Sequence, residues 1–287
     1  MTYTHSYIGK KIKRVVVIGA KGFVGSNISR LLKKNKVSLL NVHRKNYDLE
    51  KENEVKLLSK KLTKGDIVIF AAAKAPVKNN EMLFKNIKMC RNICKFVDYK
   101  LLEKIIYISS DAVYEDSKKI INENSRTNPE SLHGIMHLTR EKMLIEAFKD
   151  KICIVRPTLI YGIGDPHNGY GPNQFNKLIK MKKDINLFGK GEELRDHIHI
   201  DDVSNIIFDI ILKRGCGIIN LVSGRVISFN DIAKILVKNK SSKSKIIFNK
   251  RNAPMPHGGF RKFSLRYLKN FFPKKIPKNF EKGVKSL

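Results

Sequence analysis

The stretch Val15-Val16-Val17-Ile18-Gly19-Ala20-Lys21-Gly22-Phe23-Val24-Gly25 decides the fold. Four apolar residues read as a buried strand that runs into three glycines spaced three apart, and an amphipathic helix follows through Leu32. Gly19 permits the tight turn, Gly22 lets the backbone approach a pyrophosphate, and Gly25 lets helix pack on strand. The helix start offers unpaired amides and a partial positive charge to an anion. A tight turn without a ligand is the plainer alternative. The strand before and the helix after point instead to a dinucleotide-binding loop, with Phe23 and Val24 beside the cofactor.

Outward from this loop, apolar segments alternate in type. Strands are expected at 13–19, 37–42, 66–72, 104–109, 152–156 and 217–222, and helices at 22–34, 50–61, 79–98 and 131–149. This βαβ alternation predicts an α/β fold, a Rossmann-like doubly wound parallel sheet with the cofactor across its carboxyl edge. After Pro157 the chain turns to Gly-, Pro- and Asn-rich loops with short elements. The expected division is a cofactor-binding domain over 12–160 and a small C-terminal α/β substrate-binding lobe over 161–287, interleaved with the last sheet strands.

Composition narrows the class. The 287 residues suffice for a sizeable core. No apolar run approaches the about 18 residues of a membrane span. Residues 1–11 lack the apolar stretch of a secretory signal, so a cytoplasmic protein is expected. Cys90, Cys94, Cys153 and Cys216 show no metal-binding spacing and read as buried thiols. Lys+Arg 57 against Asp+Glu 26 gives a formal charge of +31. The lysines are spread along the chain and no nucleic-acid motif accompanies them, so no specific nucleic-acid partner is expected. Abundant Lys, Asn and Ile match a drift toward AT-rich codons. The alternative is attraction to an anionic substrate or an acidic membrane surface.

The second strand ends Asn41-Val42-His43-Arg44-Lys45, where an NAD site would usually carry Asp or Glu for the ribose hydroxyls. Arg44 can instead pair with a 2′-phosphate, which favours NADP over NAD; otherwise the segment is a solvated basic turn. Asp48 and Leu49 can meet the adenine edge and ring. Ala71 and Ala72 give the small residues a passing cofactor needs, and Lys74 can touch the ribose or nicotinamide.

The central segment Ile105-Ile106-Tyr107-Ile108-Ser109-Ser110-Asp111-Ala112-Val113-Tyr114, followed by Glu123, Pro129 and a helix from Ser131, resembles the extended branch of the short-chain dehydrogenase/reductase superfamily. That branch holds the NAD(P)-dependent nucleotide-sugar epimerases, dehydratases and reductases. Arg156-Pro157-Thr158-Leu159-Ile160-Tyr161-Gly162 is similar to its Arg-Pro-x-Asn-Val-Tyr-Gly. Leu187 to Gly191, with Arg195-Asp196-His197-Ile198-His199-Ile200-Asp201-Asp202-Val203, is similar to its Gly-x-Gly-x-x-x-Arg-Asp-x-x-x-Val-x-Asp signature. The resemblance implies a nucleoside diphosphate sugar as substrate and a homodimer. It puts Ser110 on the reacting sugar oxygen, Ser109 and Asn86 in the cofactor shell, and Asn173 and Arg195 on the diphosphate, where a guanidinium pairs phosphate oxygens bidentately. A structural salt bridge from Arg195 to Asp201 or Asp202 is the other reading.

One departure stands out. Where the family has Tyr-Gly-x-x-Lys, this chain has His133-Gly134-Ile135-Met136-His137. The tyrosine exchanges a proton with the alcohol during hydride transfer, and the lysine lowers its pKa and binds the ribose. An imidazole, with an ordinary pKa of about 6.5, is a competent acid/base but a shorter one. His133 and His137 are therefore the expected catalytic residues beside Ser110. A zinc site on the shared helix face lacks a third ligand in the nearby sequence. A binding protein that has lost hydride transfer is the alternative. The 4,6-dehydratases carry Asp-Glu after the hydroxyl residue, whereas this chain has Asp111-Ala112, so epimerisation or ketone reduction in surface-polysaccharide sugar synthesis is expected.

Overall fold

The structure, a computed structural model, describes residues 1–5, 11–165 and 169–287. Residues 6–10, part of the segment read above for a secretory signal, lie outside the described residues. In chain order the elements are β1 (Arg14–Ile18), α1 (Phe23–Lys34), β2 (Leu39–Val42), α2 (Glu52–Ser59), β3 (Asp66–Phe70), α3 (Asn80–Phe96), β4 (Leu102–Ile108), α4 (Leu132–Phe148) and β5 (Ile152–Pro157). There follow β6 (Leu159–Tyr161), α5 (Pro172–Lys180), β7 (Ile185–Phe188), β8 (Leu194–His199), α6 (Ile200–Leu212), β9 (Gly217–Leu221) and β10 (Val226–Ser228). Last come α7 (Phe229–Asn239), β11 (Ile246–Asn249), β12 (Phe260–Arg261), α8 (Arg266–Phe271) and α9 (Phe280–Gly283).

The chain forms two compact units. The first takes Met1–Glu115, Glu123–Pro157 and Ser204–Asn220, the second Asp116–Asn122, Thr158–Val203 and Leu221–Leu287. A six-stranded sheet of order β2-β1-β3-β4-β5-β9 organises the first, with parallel pairing from β2 through β5. Its six strands are the six read from the sequence, and α1 to α4 are the four helices, each end within two residues of expectation. β1 and β3 are buried almost throughout, as strands covered on both faces must be. The helices begin where the sequence supplies caps: the Asn79 side chain accepts from the Met82 amide and Ser131 from that of Gly134. Lys33 and Lys34 complement the carbonyl end of α1. Along β9, Thr2 bridges to Ile218 and Thr4 to Cys216, with Tyr3 fully buried between them. The thiols depart in part from expectation. All four are free, but only Cys90 and Cys153 are buried, while Cys94 and Cys216 are half-exposed.

In the second unit β8 pairs in parallel with β6 and β12 and antiparallel with β10, and β7 pairs with β11. Phe175, Leu187, Phe229 and Leu236 fill its core. Asp196 fastens it from within, accepting from the Thr158 hydroxyl, the Ser223 amide and hydroxyl and the Gly224 amide. Burial pushes its carboxyl up to about 6, against the pull of those donors. Among the described residues no helix is long and apolar enough to cross a membrane.

Candidate active site

The order β2-β1-β3 makes a topological switch between β1 and β3, where a crevice opens at the carboxyl ends of the strands. A cavity of about 270 Å³ occupies it. Of the expected cofactor residues, Gly19, Gly22, Arg44, Asp48, Leu49, Ala71, Ala72 and Lys74 line it, and Phe23, Val24, Gly25, Asn86 and Ser109 do not. Gly19 has φ +96°, the left-handed turn expected of it. Gly25 falls inside the first turn of α1, within the helix expected over 22–34, and a Cβ there would stand 2.2 Å from the Gly19 carbonyl oxygen. It sets how closely helix and strand approach.

The rim of the cavity is electrically mixed. Arg44, with its side chain 70% exposed, lies 3.5 Å from Asp48 and 3.9 Å from Glu50, and Lys74 pairs with Glu50 at 2.5 Å. Glu50 and Tyr47 were not foreseen; both follow the basic strand end in a segment whose sequence has no motif. Asn86 is fully buried and spends its side chain on pinning Lys74, accepting from its amide and donating to its carbonyl and to that of Met82. It shapes the cavity wall through Lys74.

At the next strand end, Ser109 donates to Glu141 at 2.5 Å, and Glu141 holds Arg156 through two bonds of 2.9 and 2.6 Å. Burial opposes the Arg156 charge, but the Glu141 bonds and carboxylate outweigh it and hold the guanidinium above its ordinary range. Ser110 accepts from the Ala112 amide and opens the short turn Asp111–Val113. That turn packs on α4 at Gly134, where a Cβ would come within 2.1 Å of the Ala112 carbonyl oxygen. Ser110 and His133 thereby share one corner of the first unit. The His133 and His137 rings meet edge to face at 4.7 Å. Among the described residues no group of three or more His, Cys, Asp or Glu gathers as a metal site.

His137 is 5% exposed, and burial, then His133 and Arg140, hold its imidazole well below the usual range. Below about pH 6.5 the unfolded chain therefore binds a proton that the folded chain refuses, and stability falls as pH falls. The urea midpoint is expected to drop between about pH 8 and pH 5, less steeply in His137→Gln.

In the second unit, Asn173 accepts from the Gly162 amide and donates to Asp165. Arg195, 8% exposed, pairs with Glu193 at 2.9 Å and with neither Asp201 nor Asp202, which correct the salt bridge weighed from sequence. Glu193 lies one residue before β8 and Arg195 is its second residue. Beside Arg195 in the β8–β12 register lies Arg261, which holds Asp116 at 2.7 Å.

A glycine loop at the switch point of a Rossmann-like sheet defines the class. Over residues 15–221 the sequence matches the NAD dependent epimerase/dehydratase family, and the chain belongs to it. The dTDP-D-glucose 4,6-dehydratase of Dictyostelium discoideum is 29% identical over 275 residues, covering 79% of this chain. The match spans 62% of that protein, so this chain corresponds to about three fifths of its curated relative. Two solved structures share the fold. UDP-glucose 4-epimerase of Thermotoga maritima, with UDP-glucose, has a TM-score of 0.83 at 20% identity over 95% of this chain and 96% of that one. RMD of Pseudomonas aeruginosa, complexed with NADPH, has 0.82 at 18% identity over 96% and 97%.

Proposed function

We propose that the chain is an NAD(P)-dependent epimerase or reductase of a nucleoside diphosphate sugar, serving surface-polysaccharide synthesis. The start of α1 carries this reading. Gly22, its N-cap, offers no side-chain acceptor and no acidic residue occupies the first turn, so the helix amides are left to an anion beside the cavity. His43, also on the cavity wall, has a buried Nδ1 without a hydrogen-bond partner. A dinucleotide fits both features: Gly19 and Gly22 would hold its pyrophosphate, Asp48 and Leu49 its adenine, and Lys74 the ribose. When bound it supplies hydride transfer.

Ser110 would bind the reacting sugar oxygen and His133 move the proton, while Asn173 and Arg195 would hold the diphosphate. Position 112 carries no carboxylate, so water loss is not the proposed reaction even though the Dictyostelium relative is named a dehydratase. The neutral, buried His137 favours one second reading, a protein of the same fold that binds nucleotides without turnover.

NADPH is expected to bind more tightly than NADH, by less than about tenfold. Exposed ion pairs such as Arg44 with Asp48 are worth about 0–1 kcal/mol, so Arg44 is free to turn to a 2′-phosphate. Asp48 and Glu50 nevertheless oppose that dianion. Fluorescence titration checks this, and Arg44→Asp should reverse the order. If the unaltered protein prefers NADH, the role given to Arg44 falls. Turnover of UDP- or dTDP-hexoses, followed by mass spectrometry of the products, separates enzyme from binding protein.

A further inference from the structure

Tyr107 lies on β4 with its ring fully buried, and its hydroxyl is 2.7 Å from Nδ1 of His137. Among the described residues this is the one hydrogen bond of that hydroxyl. Among the described residues His137 Nε2 has no hydrogen bond. Arg140, nearly one turn further along α4, is fully buried. Its guanidinium carbon stands 4.3 Å from the Phe70 ring centroid and 5.1 Å from that of Tyr107, and Nη2 donates to the Ala72 carbonyl at 3.0 Å. No carboxylate pairs with it among the described residues.

We propose that Tyr107 and Arg140 are positioning residues that hold His137 as the neutral tautomer with its proton on Nε2. The side chain is then a fixed hydrogen-bond donor in the place of the lysine of Tyr-Gly-x-x-Lys. Two arrangements satisfy the 2.7 Å contact. If Nδ1–H donated to the phenol oxygen, the phenolic hydrogen would be buried with no acceptor, an unmade bond at full desolvation cost. If the phenol donates to Nδ1, both groups are satisfied and the imidazole proton must sit on Nε2. Burial pushes the phenol's ionisation up, so Tyr107 keeps the hydrogen it donates.

Burial first, then His133 and Arg140 beside it, disfavour the remaining state, the imidazolium. An arginine cannot shed its charge, and repulsion between two cations is weakly screened at this depth. The groups facing this pair are His133 and Glu141 of α4, Tyr107 of β4 and Cys90 of α3. Glu141 is taken up by Arg156 and so offers little relief.

The tautomer stands on this packing alone. That Nε2–H meets a ribose hydroxyl of the cofactor rests on the proposed function. The test is long-range proton–nitrogen NMR of protein labelled with ¹⁵N-histidine, with the His137 signal assigned by its loss in His137→Gln. The expected result is an Nε2–H imidazole that stays unprotonated between about pH 5 and 8. Tyr107→Phe keeps the ring over Arg140 and removes only the hydroxyl, so it should populate the Nδ1–H tautomer. Arg140→Met should raise the imidazole's ionisation toward its ordinary range, with burial and His133 still holding it below, and Arg140→Lys should leave it unchanged. An Nδ1–H signal in the unaltered protein, or no change in Tyr107→Phe, overturns the proposal. Should the Arg140 variants fail to fold, Tyr107→Phe decides. A parallel NADPH titration separates the two readings: no binding to the unaltered protein would defeat the proposed function and leave the tautomer result standing.

Discussion

Replacing Glu141 with alanine is expected to cost the folded protein about 3–5 kcal/mol, the range for removing one partner of a buried ion pair. Arg156 would keep its charge inside the protein, 4.8 Å from the Tyr114 ring, with its carboxylate gone. Ser109 would lose its acceptor as well. Urea unfolding at neutral pH measures the loss. The double change Glu141→Leu with Arg156→Met should recover most of it, because apolar packing often replaces a buried pair at little cost. A loss below about 1 kcal/mol in Glu141→Ala would mean that the pair behaves as a surface one.

His133→Ala is expected to lower turnover by about a hundredfold or more, the range for a lost general acid or base, while cofactor binding persists. Its ring packs edge-on against His137 at 4.7 Å, a contact His137 survives because Tyr107 holds its other side. Steady-state rates with a sugar nucleotide, beside a cofactor titration, check the split. Full activity in the variant would move the proton transfer to another group. Rebuilding the family pair by His133→Tyr with His137→Lys would set a second cation near buried Arg140, and it should fold less stably than His133→Tyr alone.

The sheet was legible because β1 and β3 carry unbroken apolar runs and the helices carry their own caps, signals that lie within a few residues. The glycine loop was legible for the same reason, down to Gly25, whose place in α1 and close approach to Gly19 match the packing role expected of it. What escaped were polar groups that meet across the fold. Ser109, Glu141 and Arg156 come from the residue after β4, from α4 and from β5, and no periodicity marks three such residues as partners. Arg140 was read as part of a helical segment, and only the packing of α4 over Phe70 and Tyr107 reveals it as a buried cation. Glu50 escaped because an acidic residue in a turn looks solvated until Lys74 is brought to it.

The pairing of Thr2 and Thr4 along β9 bears on the handling of the protein more than on its chemistry. A strand at the border of a sheet presents unmatched amides and carbonyls that another molecule can dock onto. With Tyr3 buried beneath them, these few residues act as a selvedge on the woven sheet. A preparation clipped there would keep its glycine loop and cavity intact, and its weakness would show in storage, as slow edge-to-edge assembly.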